Sequence, residues 1–152
     1  MKAFISKSPS ETEKLGKKIA SFLTKGDVLA LIGELGSGKT TFTKGIAEGL
    51  GVKTAKYVNS PSFVIIKEHA GRIPLFHMDL YRLEDISELD TTGYEEYVGS
   101  DGICVIEWAD KMSYLLPKEH IRIEMYFKDV NERLIKLIPK GARYKELLGK
   151  IK

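Results

Sequence analysis

Lys39, Thr40 and Thr41 follow directly on Gly33, Gly36 and Gly38 in the stretch "GELGSGKTT". An ammonium and two hydroxyls set straight after clustered glycines suit one task, the holding of a phosphate chain. Glycine lets the backbone take conformations that a side chain forbids, and successive N–H groups can then turn inward around an anion. Gly33 to Thr40 matches G-x-x-x-x-G-K-[ST] at every fixed position. In that pattern the backbone of Gly33, Glu34, Leu35, Gly36, Ser37 and Gly38 forms the cradle. Lys39 reaches the β- and γ-phosphates as a point charge. The Thr40 hydroxyl ligates Mg²⁺, and Thr41 helps on the α-phosphate side. A chance match in such a chain has a probability on the order of 1%. The pattern also demands a strand before it and a helix after it, and "DVLALIG" and "KTTFTKGIAEGLG" supply both. A merely structural glycine turn beside an exposed lysine is the weaker reading.

A phosphate-binding loop of this kind needs an acid at the end of another strand, to hold Mg²⁺ or its waters. Asp79 ends "IPLFHMD" and Glu107 ends "ICVIE". The run before Glu107 is the cleaner buried strand, whereas His77 makes the run before Asp79 look half-exposed. Either acid alone could be a surface carboxylate; together with the loop, at least one is expected to serve the metal. Which of them touches it stays open. "NSPSF", with Ser60 and Ser62, lies where segments that sense a γ-phosphate often sit. It reads equally well as a polar turn leading into a strand.

His69, His77 and His120 show no metal-ligand spacing and read as structural or surface residues. Trp108 reads as a packing residue. Arg133 and the Arg143-Tyr144-Lys145 cluster could meet nucleotide or RNA, although a solvated face is the plainer reading. "TKGD", Thr24 to Asp27, resembles a guanine-reading motif but ends a helix instead of following a buried strand, so it reads as a turn. Adenine is therefore the expected base.

These residues need a scaffold, and the chain supplies alternating elements. "KAFISKS" is a candidate strand. Ser10 and Glu13 have capping-box spacing before a helix with Leu15, Ile19, Phe22 and Leu23 on one face, which Gly26 can end. "SFVIIKEH" and "IPLFHMD" are separated as in a hairpin, and "HIRIEMYF" and "RLIKLIP" can pair likewise. "EDISELDTTGYEEYVGSDG" suggests short helices and loops, and "ARYKELLGKIK" a basic helix. The expectation is an α/β fold, a mixed sheet flanked by helices with some antiparallel hairpins. The 152 residues, 43% hydrophobic, suit a single domain over 1–152. A net charge of +3 permits contact with RNA but does not demand it. Cys104, the sole cysteine, excludes an internal disulfide and reads as a small buried hydrophobe. No stretch is long enough to span a membrane, and the start lacks a secretory apolar region. A cytoplasmic protein is expected.

Taken in order and spacing, "GELGSGKTTFTKGIAEGLG", "NSPSF", "FHMDLYRL" and "VIEWADK" resemble the TsaE (YjeE) family, P-loop ATPases of bacterial tRNA threonylcarbamoyladenosine (t6A) biosynthesis. The likeness runs over nearly the whole chain. It implies a P-loop NTPase-like fold, ATP at Gly36 through Thr41, Mg²⁺ at Thr40 and Glu107, and Asp79 beside the metal. It also implies Ser60 and Ser62 in a switch-like segment and Trp108 in the functional region. Ser62 stands where the family usually has Thr, which keeps a hydroxyl and loses a methyl. Thr12, in "SETEKLG", becomes a candidate contact bordering the adenine. The implied partners are the TsaB and TsaD proteins, with tRNA reached indirectly through their complex. Two other classes compete on the residues alone. A small-molecule kinase of the P-loop class needs an acceptor pocket and several arginines over the phosphates, and this chain has only Arg72, Arg82, Arg122, Arg133 and Arg143. A nucleic-acid module would interleave basic and aromatic residues, a pattern not found here.

Overall fold

The computed structural model of the protein describes residues 1–59 and 65–152. The strands β1 (Lys2–Ser6), β2 (Val28–Gly33), β3 (Ile66–His69), β4 (Leu75–Asp79), β5 (Ile103–Glu107), β6 (His120–Phe127) and β7 (Arg133–Lys140) form one sheet in the order β1-β7-β6-β2-β5-β4-β3. β2 is apolar at successive positions, so both its faces must be covered, and it lies at the sheet's centre. β2 runs parallel to β5 and β6, and β4 parallel to β5. The two expected hairpins, β3–β4 and β6–β7, pair antiparallel, as does β1 with β7.

The period-two alternation sorts side chains into two cores. Leu29 and Leu31 of β2, Ile103 and Val105 of β5 and Ile121 and Ile123 of β6 point one way. There they meet α1 (Pro9–Ala20), α2 (Lys39–Gly49) and α4 (Ala142–Lys150). Val28, Ala30, Phe76, Met78, Cys104 and Ile106 point the other way. They are covered by the 3₁₀ segments Ile86–Thr91 and Ala109–Leu115 and the short helix α3 (Tyr94–Tyr97). Cys104 is 1% exposed and burial pushes its thiol up to about 12, as suits a small hydrophobe and not a nucleophile. Among the described residues no helix is long and apolar enough to cross a membrane.

Two local expectations are corrected. Helix α1 is capped two residues earlier than Ser10. Ser8 is its cap, accepting the Glu11 N–H at 3.2 Å, with Pro9 in the first turn and Glu11 reaching back to the Lys7 N–H at 2.7 Å. Ser8-x-x-Glu11 is the same spacing as Ser10-x-x-Glu13, and proline, which lacks the N–H, settles the choice. The helix then ends at Ala20, and Gly26 serves instead, at φ +92°, in the turn before β2.

That turn is the "TKGD" segment. Asp27 accepts the Thr24 N–H at 2.8 Å and pairs with Arg143 at 2.8 Å, while the Tyr144 hydroxyl accepts the Val28 N–H at 2.8 Å. The reading of Arg143 and Tyr144 as ligand contacts or a solvated face gives way to a structural one. They dock α4 onto the start of β2.

Helices α1 and α2 approach so closely that a Cβ on Gly45 would lie 2.1 Å from the Glu13 carbonyl oxygen. Glycine there lets α2 lie flat on α1 while Phe42 and Ile46 enter the core. Burial of side chains of that size stabilises by roughly 1.5–3 kcal/mol each. This packing fixes the direction in which the start of α2 points.

Candidate nucleotide site

Because β2, β4, β5 and β6 run the same way, their last residues, Gly33, Asp79, Glu107 and Phe127, come out along one edge of the sheet. Ligands of open α/β sheets bind outside such strand ends. The register is definite. Glu107 lies opposite Leu31 on one side and opposite Asp79 on the other, and Gly33 lies opposite Met125.

The loop from Gly33 to Gly38 joins β2 to α2. Gly36 has φ +79° and Gly38 φ +104°, both in the left-handed region that a side chain strains. Gly38 is the cap of α2 and offers no side-chain hydrogen bond. The helix therefore meets the loop with no capping side chain between its positive end and an incoming anion. Glu34, Leu35 and Gly36 are exposed, whereas Ser37 is buried.

Lys39 turns back into the loop. Its ammonium donates to the carbonyls of Gly33 at 2.6 Å and Glu34 at 2.9 Å and lies 3.4 Å from the Ser37 hydroxyl. Burial lowers its pKa from the ordinary lysine value, against the opposing pull of Glu107, Asp79 and Asp110. A buried lysine in a loop beside three carboxylates is the kind of perturbed group found at binding sites. Its nitrogen also sits 4.2 Å from the centre of the Trp108 ring. Trp108 is the one non-glycine residue with a left-handed backbone among the described residues, at φ 58°, a conformation costing on the order of 1–3 kcal/mol. Its ring also meets that of Tyr81, with centroids 5.0 Å apart. Trp108 thus stands beside the loop lysine as well as packing against Tyr81.

Glu107 is 1% exposed, and one of its oxygens accepts the Thr40 hydroxyl at 2.8 Å. Its other oxygen meets Nε2 of His77. Asp79 lies at the neighbouring strand end, half-buried, and accepts the Tyr81 N–H at 2.9 Å. Among the described residues no three His, Cys, Asp or Glu side chains gather as a metal-holding group. Mg²⁺ does not require one. It keeps several waters and takes one or two carboxylates together with substrate phosphates. The Thr40 hydroxyl and the Glu107 carboxylate, already in contact beside the loop, fit that donor set.

The remaining expected residues are spread around the loop. Thr41 is half-buried on the first turn of α2. Thr12 is buried on α1 near Gly38, but its hydroxyl is engaged with Ser6 at 2.7 Å. Arg133 lies 4.3 Å over the Phe127 ring, and its guanidinium reaches the Gly36 carbonyl at 3.4 Å, so it borders the loop. Ser60 and Ser62 lie outside the described residues. A cavity of about 540 Å³ opens beside the loop, lined among others by Leu35, Trp108, Met125 and Phe127.

His77 is the residue that sequence reasoning missed. It is wholly buried, and β4 is not the half-exposed strand expected. The signal was available: residues two apart on a strand share a face, so His77 had to point the same way as Asp79.

The family model for threonylcarbamoyl adenosine biosynthesis protein TsaE matches residues 6–135. The tRNA threonylcarbamoyladenosine biosynthesis protein TsaE of Bacillus subtilis is 48% identical over 141 residues, covering 92% of this chain and 87% of that protein. Its namesake in Aquifex aeolicus is 36% identical, covering 92% and 98%. The crystal structure of YdiB from Bacillus subtilis superposes with a TM-score of 0.82 at 38% identity, over 99% of this chain and 93% of that one. With the loop, Asp79 and Glu107 at one sheet edge and these matches running over most of its length, the chain belongs to the TsaE family of tRNA threonylcarbamoyladenosine biosynthesis proteins.

Proposed function

We propose that the chain is an ATP-binding, slowly hydrolysing protein that supports formation of t6A at A37 of tRNA by acting on the TsaB–TsaD pair. It works as one domain in the cytoplasm, and tRNA is met through the complex. The observation that carries the reading is the contact between Thr40 and Glu107 at the mouth of a loop whose buried lysine turns back into it. The loop N–H groups and the start of α2 receive the phosphates. Lys39 exchanges the Gly33 and Glu34 carbonyls for phosphate oxygens, a stronger, charge-assisted pairing. Thr40 and Glu107 would hold Mg²⁺, which when bound neutralises charge developing on the phosphates. Asp79, one strand further along the same edge, supports the hydration around them.

Little on this chain completes the stabilisation of a transferring phosphoryl group. Arg133 is committed to backbone carbonyls of its own turn, Asp129, Val130 and Glu132. Hydrolysis alone should therefore be slow. A partner can supply what is lacking, and ATP in turn biases which partner conformation is bound. In a reconstituted system with threonylcarbamoyl-adenylate and tRNA, the protein plus ATP should raise multiple-turnover t6A formation, and Lys39→Ala and Glu107→Ala should not. Equal turnover with those variants would remove ATP chemistry from the mechanism, and failure to bind the pair with any nucleotide would remove the assignment. The cavity beside the loop favours one second reading, a small-molecule kinase. ATP turnover that requires a small acceptor and ignores the partner proteins would select it.

A further inference from the structure

We propose that His77 is a positioning residue, which fixes the Glu107 carboxylate so that one oxygen faces Thr40 and the metal; this rests on the nucleotide-site reading above. The register sets up the pair. Asp79 lies opposite Glu107 and His77 opposite Val105, so His77 and Glu107 are diagonal neighbours on the face toward α2. Both are buried, at 0% and 1% exposure. A buried carboxylate must have its oxygens satisfied, and Glu107 divides them, one to Thr40 and one to His77.

An ionised carboxylate only accepts, so the proton of His77 sits on Nε2. Among the described residues the other nitrogen, Nδ1, has no partner, and neither has Nε2 of His69, whose ring lies 6.5 Å away. Buried polar groups in a sheet interior are ordinarily paired. A ring buried with one nitrogen unpaired is tied to the site by the other alone. Without that tie the carboxylate is free to turn about its last bond, a torsion with broad preference. The oxygen facing Thr40 is then no longer fixed. Groups that orient a metal-bound carboxylate typically matter about 10- to 100-fold in metal affinity.

The test uses the whole chain. Nucleotide affinity is measured by calorimetry in EDTA and across a Mg²⁺ series. His77→Leu should keep its affinity in EDTA while the Mg²⁺ midpoint rises about 10-fold or more. His77→Gln, whose amide N–H can stand near the position of Nε2, should recover most of the shift. Independently of any metal or nucleotide, imidazole ¹⁵N NMR of the unmodified protein should show His77 protonated at Nε2. Glu107→Gln should move that resonance. If His77→Leu does not fold, His77→Gln and the spectrum still decide. An unaltered Mg²⁺ midpoint in His77→Leu beside a raised one in Glu107→Gln would overturn the proposal, as would a proton on Nδ1 in the spectrum. If Lys39→Ala and Glu107→Gln also leave nucleotide binding untouched, the nucleotide-site reading is what has failed.

Discussion

Replacing Lys39 by methionine should separate nucleotide affinity from stability. Methionine keeps the unbranched stem and removes the charge. In the free protein the ammonium is satisfied by two neutral carbonyls, at 2.6 and 2.9 Å, and by the Trp108 face at 4.2 Å. Binding a polyphosphate exchanges those neutral acceptors for anionic ones, and a hydrogen bond to a charged group contributes about 1.5–3 kcal/mol net. Taking about 2–3 kcal/mol for the exchange, ATP affinity should fall roughly 30- to 150-fold. Stability should move differently. Burial lowers the Lys39 pKa below its ordinary 10.5, so between the two values the unfolded chain binds more protons than the folded one. The ammonium therefore costs the fold stability below that window, and the cost is relieved as pH rises through it. Methionine carries no such cost. Calorimetric titration with Mg-ATP and thermal melts of the free protein test both halves. Unchanged affinity would refute the loop's role, and a melt many degrees lower would show that Lys39 is a structural cation instead.

Asp79→Asn and Glu107→Gln should each lower ATP turnover much more than nucleotide affinity, because support for the metal matters most where charge redistributes; turnover at the unmodified rate in both would move the metal site elsewhere. Gly45→Ala should destabilise by about 1–3 kcal/mol despite the better helix propensity of alanine, since its Cβ would meet the Glu13 carbonyl at 2.1 Å. A denaturant midpoint at or above the unmodified one would mean that α1 and α2 can slide apart freely. Burial lowers the pKa of both His69 and His120 below the ordinary 6.5. The unfolded chain then takes up protons first on acidification, so stability should fall as pH drops below about 6.5 and level off below the folded values. His120→Asn should shallow that slope, and an unaltered slope would exclude His120 as a contributor.

The loop was legible because its chemistry is local. Gly33, Gly36, Gly38, Lys39 and Thr40 are neighbours in sequence, and strand and helix on either side needed only apolar periodicity to be recognised. Glu107 was legible as the end of a continuous apolar run. The start of α1 was misread because two capping-box spacings overlap by two residues, and only the place of Pro9 distinguishes them. Arg143 and Tyr144 were misread for a different reason. Their partners, Asp27 and Val28, are far away in sequence, and nothing local in a basic amphipathic helix says that its arginine is committed to a distant turn. His77 falls between these cases, since its direction was set by Asp79 while its partner depended on pairing between β4 and β5.

That pairing is the deepest requirement of the site. Side chains alternate with period two, so a slip of β4 by one residue against β5 would bring Met78 where His77 stands. It would send His77 into the core beside Cys104 and Ile106, and Asp79 with it to the far face. The register is held by apolar residues that do no chemistry. Leu75 must reach the α-helical core and Phe76 and Met78 the opposite one, and all three are buried. The same argument applies across β2, where Leu31 opposite Glu107 and Gly33 opposite Met125 set the height of the loop against the acids. The placement of these side chains is thus inherited from hydrophobic alternation. The glycines and the lysine are local in sequence, but it is the burial of leucine, phenylalanine and methionine on neighbouring strands that brings Glu107 within 2.8 Å of Thr40.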